Sequence, residues 1–558
     1  MLGKQSLIEF FRYIHIDTIF HLPGIHTLPF NETLLKSNIN SFIGRHENNI
    51  TIMADGYART SGKIGVIVVT PGPGLGNAVS GCMEAYSDDI PLFIIHVDTG
   101  REEIGKGILH ELVEPEAIFT HFTKKTYTIS KTNEMMPALN DAYQTAVSGR
   151  KGPVLVSVPY TFFEKEIPRE TGAKNRVRGV AGSRGQGSKD GIRGVEGSRG
   201  RGEEAGSGER KNISYDLSKL EEVLKGKKRP VIIGGKSLMF EEAQPIIDDT
   251  CRGLSIPFLT TTGGKGIVNE NSIYSFGNIM QKNIAKEIFS SSDIVIAIGT
   301  RLRDVDAKRR GIMVKELVHI DIDDKWIGRN YPTKLAIVGD IKQILGDLGQ
   351  TLKGRRFDWD IEMLKNAHIK GLEQLKKLSP GFPLINLIRK VIPDDTVTVC
   401  DLNLPSYFAE YYFPVYHQKT FIMPRGISPI FYSLPAAIGA KIGRPDRPCL
   451  ALCGDGGILP AIGELATMVK YNIPVVIFVH NNNSFGILED VMRNRYGITG
   501  SMTLNNPDFC KLANAFGIKS KKTKSLEGLK KIFLRDVTWN EPFLIEFDCP
   551  VLPPPWRV

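Results

Sequence analysis

Short runs of apolar, mostly β-branched residues recur along the first part of the chain, and helix-length stretches separate them. The clearest runs lie at 65–70, 91–97 and 153–158. Apolar residues fill these runs continuously rather than alternating with polar ones, which is typical of strands buried on both faces of a parallel sheet. The pattern therefore predicts strands that alternate with helices in a doubly wound α/β arrangement.

The same pattern returns twice further along the chain. Apolar runs occupy 230–234, 293–299 and 318–322 in a second block, and 396–400, 449–453 and 474–479 in a third. A single hydrophobic core stops growing at about 250–300 residues, and this chain has 558. The sequence thus predicts an α/β fold of three doubly wound parallel-sheet domains, at residues 1–168, 214–352 and 378–558, with a linker at 353–377.

The segment 169–213 departs from this pattern. It is rich in Gly, Arg and Ser, contains the imperfect repeat RGVAGSRGQG and RGVEGSRGRG, and has few large apolar residues. Such a composition buries too little apolar surface to offset chain entropy, which predicts a disordered linker. Residues 169–211 hold eleven Lys and Arg against six Asp and Glu, so +5 of the net charge of +10 lies here. RNA binding through this segment is an alternative, but a flexible linker is the favoured interpretation.

Overall composition indicates a globular protein of ordinary kind. Apolar residues make up 41% of the chain and charged residues 24%. The N-terminal stretch lacks the pattern of a signal peptide, and no apolar run reaches the ~18 residues of a membrane helix. Seven scattered cysteines, without paired zinc-type spacing, fit buried thiols in a reducing compartment, so a cytoplasmic location is expected.

The most informative local pattern is CLALCGDGG at 449–457, followed by PVVIFVHNNNSFG at 474–486. A strand that ends in Gly-Asp-Gly-Gly places Asp455 at the carboxyl edge of a parallel sheet, where such sheets bind ligands. Asn482 follows the next apolar run. Carboxylate and amide oxygens are hard ligands that suit Mg²⁺, which usually shares them with phosphate oxygens. Gly-Asp-Gly also occurs in ordinary turns, so the pairing of the two patterns carries the prediction.

In these two patterns the chain resembles the thiamine-diphosphate-dependent enzyme superfamily, whose motif is GDG followed by NN. The resemblance implies that Asp455, the Asn482 side chain and the Ser484 carbonyl hold Mg²⁺. It also implies that four glycines lie against the cofactor: Gly454, Gly456, Gly457 and Gly486.

The segment PRGISPIFYSLPAAIGAK at 424–441 resembles the part of the same family that lies beneath the cofactor's pyrimidine ring. The resemblance implies that Ile430 is the apolar residue that wedges the two cofactor rings apart. It also implies that the Ser428 carbonyl accepts from the 4′-amino group. Without the resemblance, Ile430 would be interpreted as a core residue.

A second motif lies in the first block, where RHENNITIMADGYAR at 45–59 precedes GPGLGNA at 72–78. Glu47 opens a predicted helix, and a carboxylate there also stabilises the helix dipole. The segment resembles the pyrimidine-domain motif of the same superfamily. The resemblance implies that Glu47 hydrogen-bonds the pyrimidine and thereby activates the cofactor, and that Asn77 contacts it. It further implies a homodimer or homotetramer with sites between chains.

The middle block resembles acetolactate synthases, while HLPGIHTLPF at 21–30 resembles benzoylformate decarboxylase. The synthases have Phe-Gln-Glu where this chain has Leu109, His110 and Glu111, and a Trp where it has Val491. These departures weaken the case for FAD. They make His110 a candidate for proton transfer, since imidazole titrates near neutral pH, whereas His26 is more simply structural.

Three classes of function remain open. The first is decarboxylation or carboligation of a 2-oxo acid, of the acetolactate synthase type. The second is a 2-hydroxyacyl-CoA lyase or acyl-CoA decarboxylase on the same scaffold. The third is a non-catalytic or RNA-binding protein. The presence of Glu47, Asp455 and Asn482 argues against the third.

Overall fold

The structure is a computed structural model that describes residues 1–168, 193–196, 215–240, 243–303, 307, 311–379, 381–500 and 502–557. The chain separates into two compact units. One comprises Met1–Ala58 and Lys63–Glu203, and the other comprises Arg59–Gly62 and Glu204–Val558.

The first unit is built on one sheet in the order β2-β1-β3-β4-β6-β5-β7. Its strands are β1 (Thr18–His21), β2 (Asn40–Ile43), β3 (Gly65–Val69), β4 (Leu92–Asp98), β5 (Lys125–Thr128), β6 (Val154–Pro159) and β7 (Arg193–Glu196). Its helices are α1 (Gly3–Tyr13), α2 (Leu28–Leu35), α3 (Glu47–Ser61), α4 (Pro73–Asn77), α5 (Val79–Ser87), α6 (Pro115–Phe119) and α7 (Met135–Val147). Strands β1–β6 pair in parallel, and β7 pairs antiparallel with β5.

The second unit contains two all-parallel sheets. The central sheet has the order β10-β9-β8-β11-β12-β13. Its strands are β8 (Pro230–Gly234), β9 (Phe258–Thr260), β10 (Ser275–Asn278), β11 (Ile294–Ile298), β12 (Leu317–Asp321) and β13 (Leu335–Val338). Its helices are α8 (Ser218–Leu224), α9 (Ala243–Leu254), α10 (Lys282–Ser291) and α11 (Ile341–Thr351).

The other sheet of this unit has the order β15-β14-β16-β17-β19-β18. Its strands are β14 (Val397–Cys400), β15 (Phe421–Ile422), β16 (Cys449–Gly454), β17 (Val476–Asn481), β18 (Lys519–Thr523) and β19 (Phe543–Asp548). The helices from the linker onward are α12 (Ile361–Leu378), α13 (Phe382–Val391), α14 (Leu404–Tyr412), α15 (Ser433–Gly443), α16 (Asp455–Ile458), α17 (Leu465–Lys470), α18 (Gly486–Tyr496), α19 (Phe509–Ala515) and α20 (Leu526–Arg535).

These three sheets confirm the predicted fold class. Every residue of the central strands β3, β11 and β16 is buried, because helices pack on both faces of each sheet. The predicted strands differ from the observed ones by at most two residues at either end. Short strands at the sheet edges, such as β15 and the largely polar β18, were not predicted.

Part of the linker prediction can be compared with the structure. Within 169–213 only Arg193–Glu196 is described, and it forms the edge strand β7 rather than a disordered segment. The rest of that prediction lies outside the described residues. The segment 353–377, predicted as a linker, consists mostly of helix α12.

Two general features follow from the described residues. None of their helices combines the length and the apolar character needed to cross a membrane. All seven cysteines carry free thiols, and Cys82, Cys251, Cys400, Cys449 and Cys453 are buried.

Candidate active site

The carboxylate of Asp455 joins the ends of two neighbouring strands. Asp455 begins α16 directly after β16, and β16 pairs in parallel with β17. Its Oδ1 accepts a hydrogen bond from the N–H of Gly456 at 2.9 Å. Its Oδ2 accepts from the N–H groups of Asn482 at 3.2 Å and Ser484 at 3.3 Å. The parallel topology therefore brings together the three residues predicted to bind metal.

Asn506 completes this arrangement, although the sequence did not single it out. Its Nδ2 donates to Asp455 Oδ2 at 2.9 Å and to Asn481 Oδ1 at 3.2 Å. The residue belongs to the loop before α19, where nothing in the local sequence distinguishes it from other loop asparagines. Only the path of that loop across the sheet edge brings it to the carboxylate.

The electrostatics of this site suit a cation and an anionic group bound together. Asp455 is 4% exposed, and burial raises the pKa of its carboxyl group, an effect that the four hydrogen bonds oppose. A nearby cation would favour the charged form. At this site, three buried polar atoms have no hydrogen-bond partner among the described residues: Ser484 Oγ, Asn506 Oδ1 and His480 Nε2. Burial lowers the pKa of His480 to about 4, so its ring is neutral at physiological pH.

A pocket opens at this edge of the sheet. Predicted site residues contribute much of its lining: Ile430, Gly454, Asp455, Gly456, Gly457, Asn482, Ser484 and Gly486. Ser428 is not among the lining residues and lies two positions before Ile430. Its φ of +59° places its backbone in the left-handed region.

Two glycines of the pocket leave no room for a side chain. A Cβ on Gly457 would lie 2.8 Å from Asp401 Oδ2, and one on Gly486 would lie 2.4 Å from Asn482 Nδ2. Asp401 follows β14 and also lines the pocket, and burial raises its pKa to about 6. Asp401 was not predicted as a site residue, although it too is an acid at the carboxyl end of a parallel strand, which is the feature that identified Asp455.

In the first unit, Glu47 and Asn77 lie together. Glu47 begins α3 and is 8% exposed, and the Asn77 Nδ2 donates to its Oε2 at 3.0 Å. A Cβ on Gly74 would lie 3.6 Å from Glu47 Oε1 and 2.3 Å from Thr70 Oγ1, so the glycine-rich turn passes close to the carboxylate. The structure thus unites the residues of the two motifs that the sequence placed 30 positions apart.

The same turn also contacts His110. A Cβ on Gly72 would lie 2.9 Å from the His110 carbonyl oxygen. The rings of His110 and His26 meet edge to face at 5.8 Å, and the Tyr160 ring lies 5.3 Å from that of His26. Burial, and then the neighbouring His110, lower the pKa of His26, and its Nδ1 is buried with no hydrogen-bond partner among the described residues. His26, interpreted from sequence as structural, therefore forms a pair with His110.

Comparison with known proteins agrees with this geometry. Three domain models of thiamine pyrophosphate enzymes match the chain: the N-terminal TPP binding domain at 1–118, the central domain at 217–348 and the C-terminal TPP binding domain at 404–547. The chain belongs to the thiamine pyrophosphate enzyme superfamily, and it is a thiamine-diphosphate-dependent enzyme.

Individual relatives are similar over nearly their whole length. A probable acetolactate synthase large subunit of Methanococcus aeolicus is 29% identical, over 98% of this chain and 92% of the relative. A probable 2-ketoarginine decarboxylase of Pseudomonas aeruginosa is 29% identical, over 94% and 90%. The acetolactate synthase large subunit of Lactococcus lactis is 28% identical, over 98% and 92%.

Proposed function

We propose that this protein uses thiamine diphosphate and Mg²⁺ to break or form the carbon–carbon bond next to the carbonyl of a 2-oxo acid. The observation that carries this proposal is the buried Asp455 carboxylate, held across the ends of β16 and β17 in a pocket with unpartnered polar atoms. The similarity to a probable 2-ketoarginine decarboxylase and to acetolactate synthases supports the substrate class.

The residues around Asp455 fit the metal and the diphosphate. Asp455, the Asn482 side chain and the Ser484 carbonyl would supply oxygen ligands to Mg²⁺, which prefers to share such ligands with phosphate groups. Gly456 and Gly457 lack side chains, so the diphosphate oxygens could approach their backbone closely. The positive charge of the metal would offset part of the negative charge of the carboxylate and the diphosphate.

The first unit would supply the activating carboxyl group. When bound, the cofactor provides the carbon nucleophile and the electron sink that the reaction needs. Glu47 would hold a proton against the pyrimidine ring, and Asn77 would orient its carboxyl group through the 3.0 Å hydrogen bond. Ile430, which lines the pocket of the second unit, would set the angle between the two cofactor rings.

His110 and His26 would move the proton that a decarboxylated product must gain. Burial, and then the neighbouring His110 ring 5.8 Å away, lower the pKa of His26, so the neutral form of His26 is favoured. We therefore assign proton donation to His110 and a supporting role to His26.

Replacing His110 with Ala tests this assignment. If His110 protonates the product, the variant should release CO₂ in the first turnover and then form aldehyde much more slowly. If His110 instead positions a second substrate, CO₂ should be released turnover after turnover, while the ligated product is lost. Rapid-quench measurement of CO₂ and aldehyde separates these outcomes. Replacing the exposed His121 with Ala is the matched control, and equal behaviour of both variants would contradict any role for His110.

The pH dependence gives an independent measurement on the same pair. The pKa of His26 lies below the ordinary imidazole value of about 6.5, so a rate that requires neutral His26 should fall only in more acidic solution. In the His110→Ala variant the neighbouring charge is removed and burial decreases, and both changes raise the pKa of His26. The acid limb of the residual rate should therefore shift to higher pH. A limb that stays in place would contradict the pairing.

The proposed function as a whole is tested by a substrate screen. Purified protein with thiamine diphosphate and Mg²⁺ should release CO₂ from one or more 2-oxo acids, and omission of either cofactor should abolish the release. Cleavage of 2-hydroxyacyl-CoA substrates in place of 2-oxo acids would contradict the proposal and favour the acyl-CoA class.

The assembly proposed for this enzyme is a homodimer or homotetramer. In the superfamily that the sequence resembles, the pyrimidine-binding domain of one chain faces the diphosphate-binding domain of another. Glu47 of one chain would then act with Asp455 of a second chain. Sedimentation at assay concentrations should show at least a dimer, and full activity in a monomer would contradict this arrangement.

A further inference from the structure

The turn that carries Ile430 has an unusual backbone. Ser428 and Phe431 adopt φ values of +59° and +67°. Residues other than glycine rarely adopt a positive φ, and bulky ones least of all. Between them, Ile430 is 44% exposed and lines the pocket beside the Gly-Asp-Gly-Gly motif. A strained backbone persists only when its surroundings over-determine it. The contacts of this turn, residues 425–433, therefore have to supply that restraint.

One restraint comes from Asp401, on the carboxyl-terminal side of the turn. Its Oδ2 accepts from the Ser433 hydroxyl at 3.4 Å, and the backbone N–H groups of Tyr432 and Ser433 also hydrogen-bond the carboxylate. The Ser433 hydroxyl in turn lies 3.1 Å from the Cys453 sulfur of β16. Asp401 is 2% exposed, so solvent does not compete for these hydrogen bonds. The end of the turn is thus held against the strand that leads to Asp455.

Another restraint comes from Glu410, on the amino-terminal side. Glu410 lies on α14 and is 1% exposed. Its Oε1 lies 3.4 Å from Arg425 Nε and accepts from the Thr262 hydroxyl at 2.5 Å. A guanidinium N–H of Arg303 donates to the Arg425 carbonyl. Arg425 is therefore held by contacts to α14 and to the loop after β11, and the loop after β9 holds Glu410 through Thr262.

Gly457 connects these restraints to the predicted diphosphate site. A Cβ there would meet Asp401 Oδ2 at 2.8 Å and the backbone N of Phe431 at 3.8 Å. The glycine, the carboxylate and the turn are thus in contact within one layer of the pocket wall. A displacement of the turn would alter both the position of Ile430 and the surface offered by Gly457.

We propose that Asp401 and Glu410 are positioning residues, which clamp the two ends of the 425–433 turn and hold Ile430 in the orientation that thiamine diphosphate requires. The proposal rests on the proposed function, because it assigns the turn to that cofactor. Buried carboxylates are a poor source of stability, since apolar residues of similar volume often serve the fold equally well. A positioning role explains why two of them flank one strained turn.

The test uses the full-length protein with Asp401→Asn and Glu410→Gln, which keep side-chain size and remove the negative charge. Glu464→Gln is the matched control, because Glu464 is also a fully buried carboxylate of this unit, bonded to Thr467 Oγ1 at 2.7 Å, and it does not line the pocket. Four properties are measured: melting temperature of the apo-protein, amide hydrogen exchange of residues 425–433, thiamine diphosphate affinity with saturating Mg²⁺, and circular dichroism of the bound cofactor.

In the two clamp variants, we expect faster exchange confined to the turn and thiamine diphosphate affinity about tenfold weaker, because each variant loses the negative charge that holds one end of the turn. The dichroism of the bound cofactor should change. The melting temperature of the clamp variants should fall no further than that of Glu464→Gln. In Glu464→Gln, hydrogen exchange at the turn and the affinity for thiamine diphosphate should match the wild type. Ser433→Ala removes one hydrogen-bond donor to Asp401 and no charge, so it should give a smaller change of the same kind. This variant tests the proposal if the other two fold poorly.

Two negative outcomes are distinguishable. If the wild type binds thiamine diphosphate and the clamp variants match it in affinity and exchange, the clamp is overturned while the proposed function stands. Effects as large in Glu464→Gln would also overturn it. If the wild type itself fails to bind thiamine diphosphate and Mg²⁺, the proposed function is overturned, whatever the exchange data show.

Discussion

The Glu47→Gln variant is expected to lose nearly all activity while keeping its fold. A positioned proton-transfer group typically contributes about 10²–10⁴-fold to a rate, and the amide could not exchange a proton with the pyrimidine as the carboxyl group is proposed to do. Gln nevertheless fits the buried site at the start of α3 and can still accept from Asn77 Nδ2. The direct measurement is hydrogen exchange at C2 of the bound cofactor, followed by NMR, which should slow by the same factor.

The matched control for this experiment is Glu116→Gln. Glu116 is another buried acid of the first unit, and it accepts from the Thr128 hydroxyl at 2.6 Å. This control should leave C2 exchange unchanged. An Asn77→Ala variant should slow exchange less than Glu47→Gln, because it removes the orienting hydrogen bond and leaves the carboxyl group. Wild-type exchange rates in Glu47→Gln would exclude Glu47 from the activation of the cofactor.

Loss of cofactor binding is the expected result of Asp455→Ala. Removing one member of a buried charge pair costs about 3–5 kcal/mol, so the affinity for thiamine diphosphate with Mg²⁺ should fall by at least about a hundredfold. Calorimetric titration of the diphosphate cofactor in the presence of Mg²⁺ measures this change. Unchanged affinity would place the metal elsewhere on the protein.

The control for the metal assignment is Asp508→Asn. Asp508, Cys510 and Glu546 form a second group close enough to share a cation. The Lys522 ammonium already lies 2.8 Å from Glu546, which leaves less need for a metal ion there. We expect Asp508→Asn to bind thiamine diphosphate and Mg²⁺ like the wild type. Loss of binding in this variant with retention in Asp455→Ala would reverse the assignment.

The apo-protein of an Asp455→Asn variant should show a different dependence of stability on pH. Burial raises the pKa of Asp455 in the folded state above its unfolded value. The wild-type apo-protein therefore loses stability as the pH rises from the ordinary carboxyl range through that raised pKa, because ionisation of the buried group is unfavourable. The variant lacks this contribution, so its apo-form should retain more of its stability in that window. Denaturant unfolding at several pH values measures the difference.

Much of the fold follows from the sequence alone, because fully buried parallel strands require continuous apolar runs. The GVIVV run of β3 and the VIFVHN run of β17 could each be placed to within two residues for this reason. Strand β18, with the sequence KSKKT, could not be predicted in this way. It is an edge strand, and its backbone pairing with β19 defines it rather than the burial of its own side chains.

For the candidate site, the sequence predicted which local segments carry the chemistry, and the tertiary structure decided which distant residues lie beside them. Asp455 and Asn482 were identified because each follows a buried strand, and that local rule places a polar residue at a sheet edge. Asn506 and Glu410 were not identified from the sequence. Their proposed roles depend on where a loop and a helix cross the sheet, and no local sequence pattern specifies that. Strands β14 and β16 are neighbours in the sheet, so Asp401 at the end of β14 lies beside the loop that carries Asp455. The strand order depends on the pairing of all strands in the sheet, and no local sequence pattern specifies it.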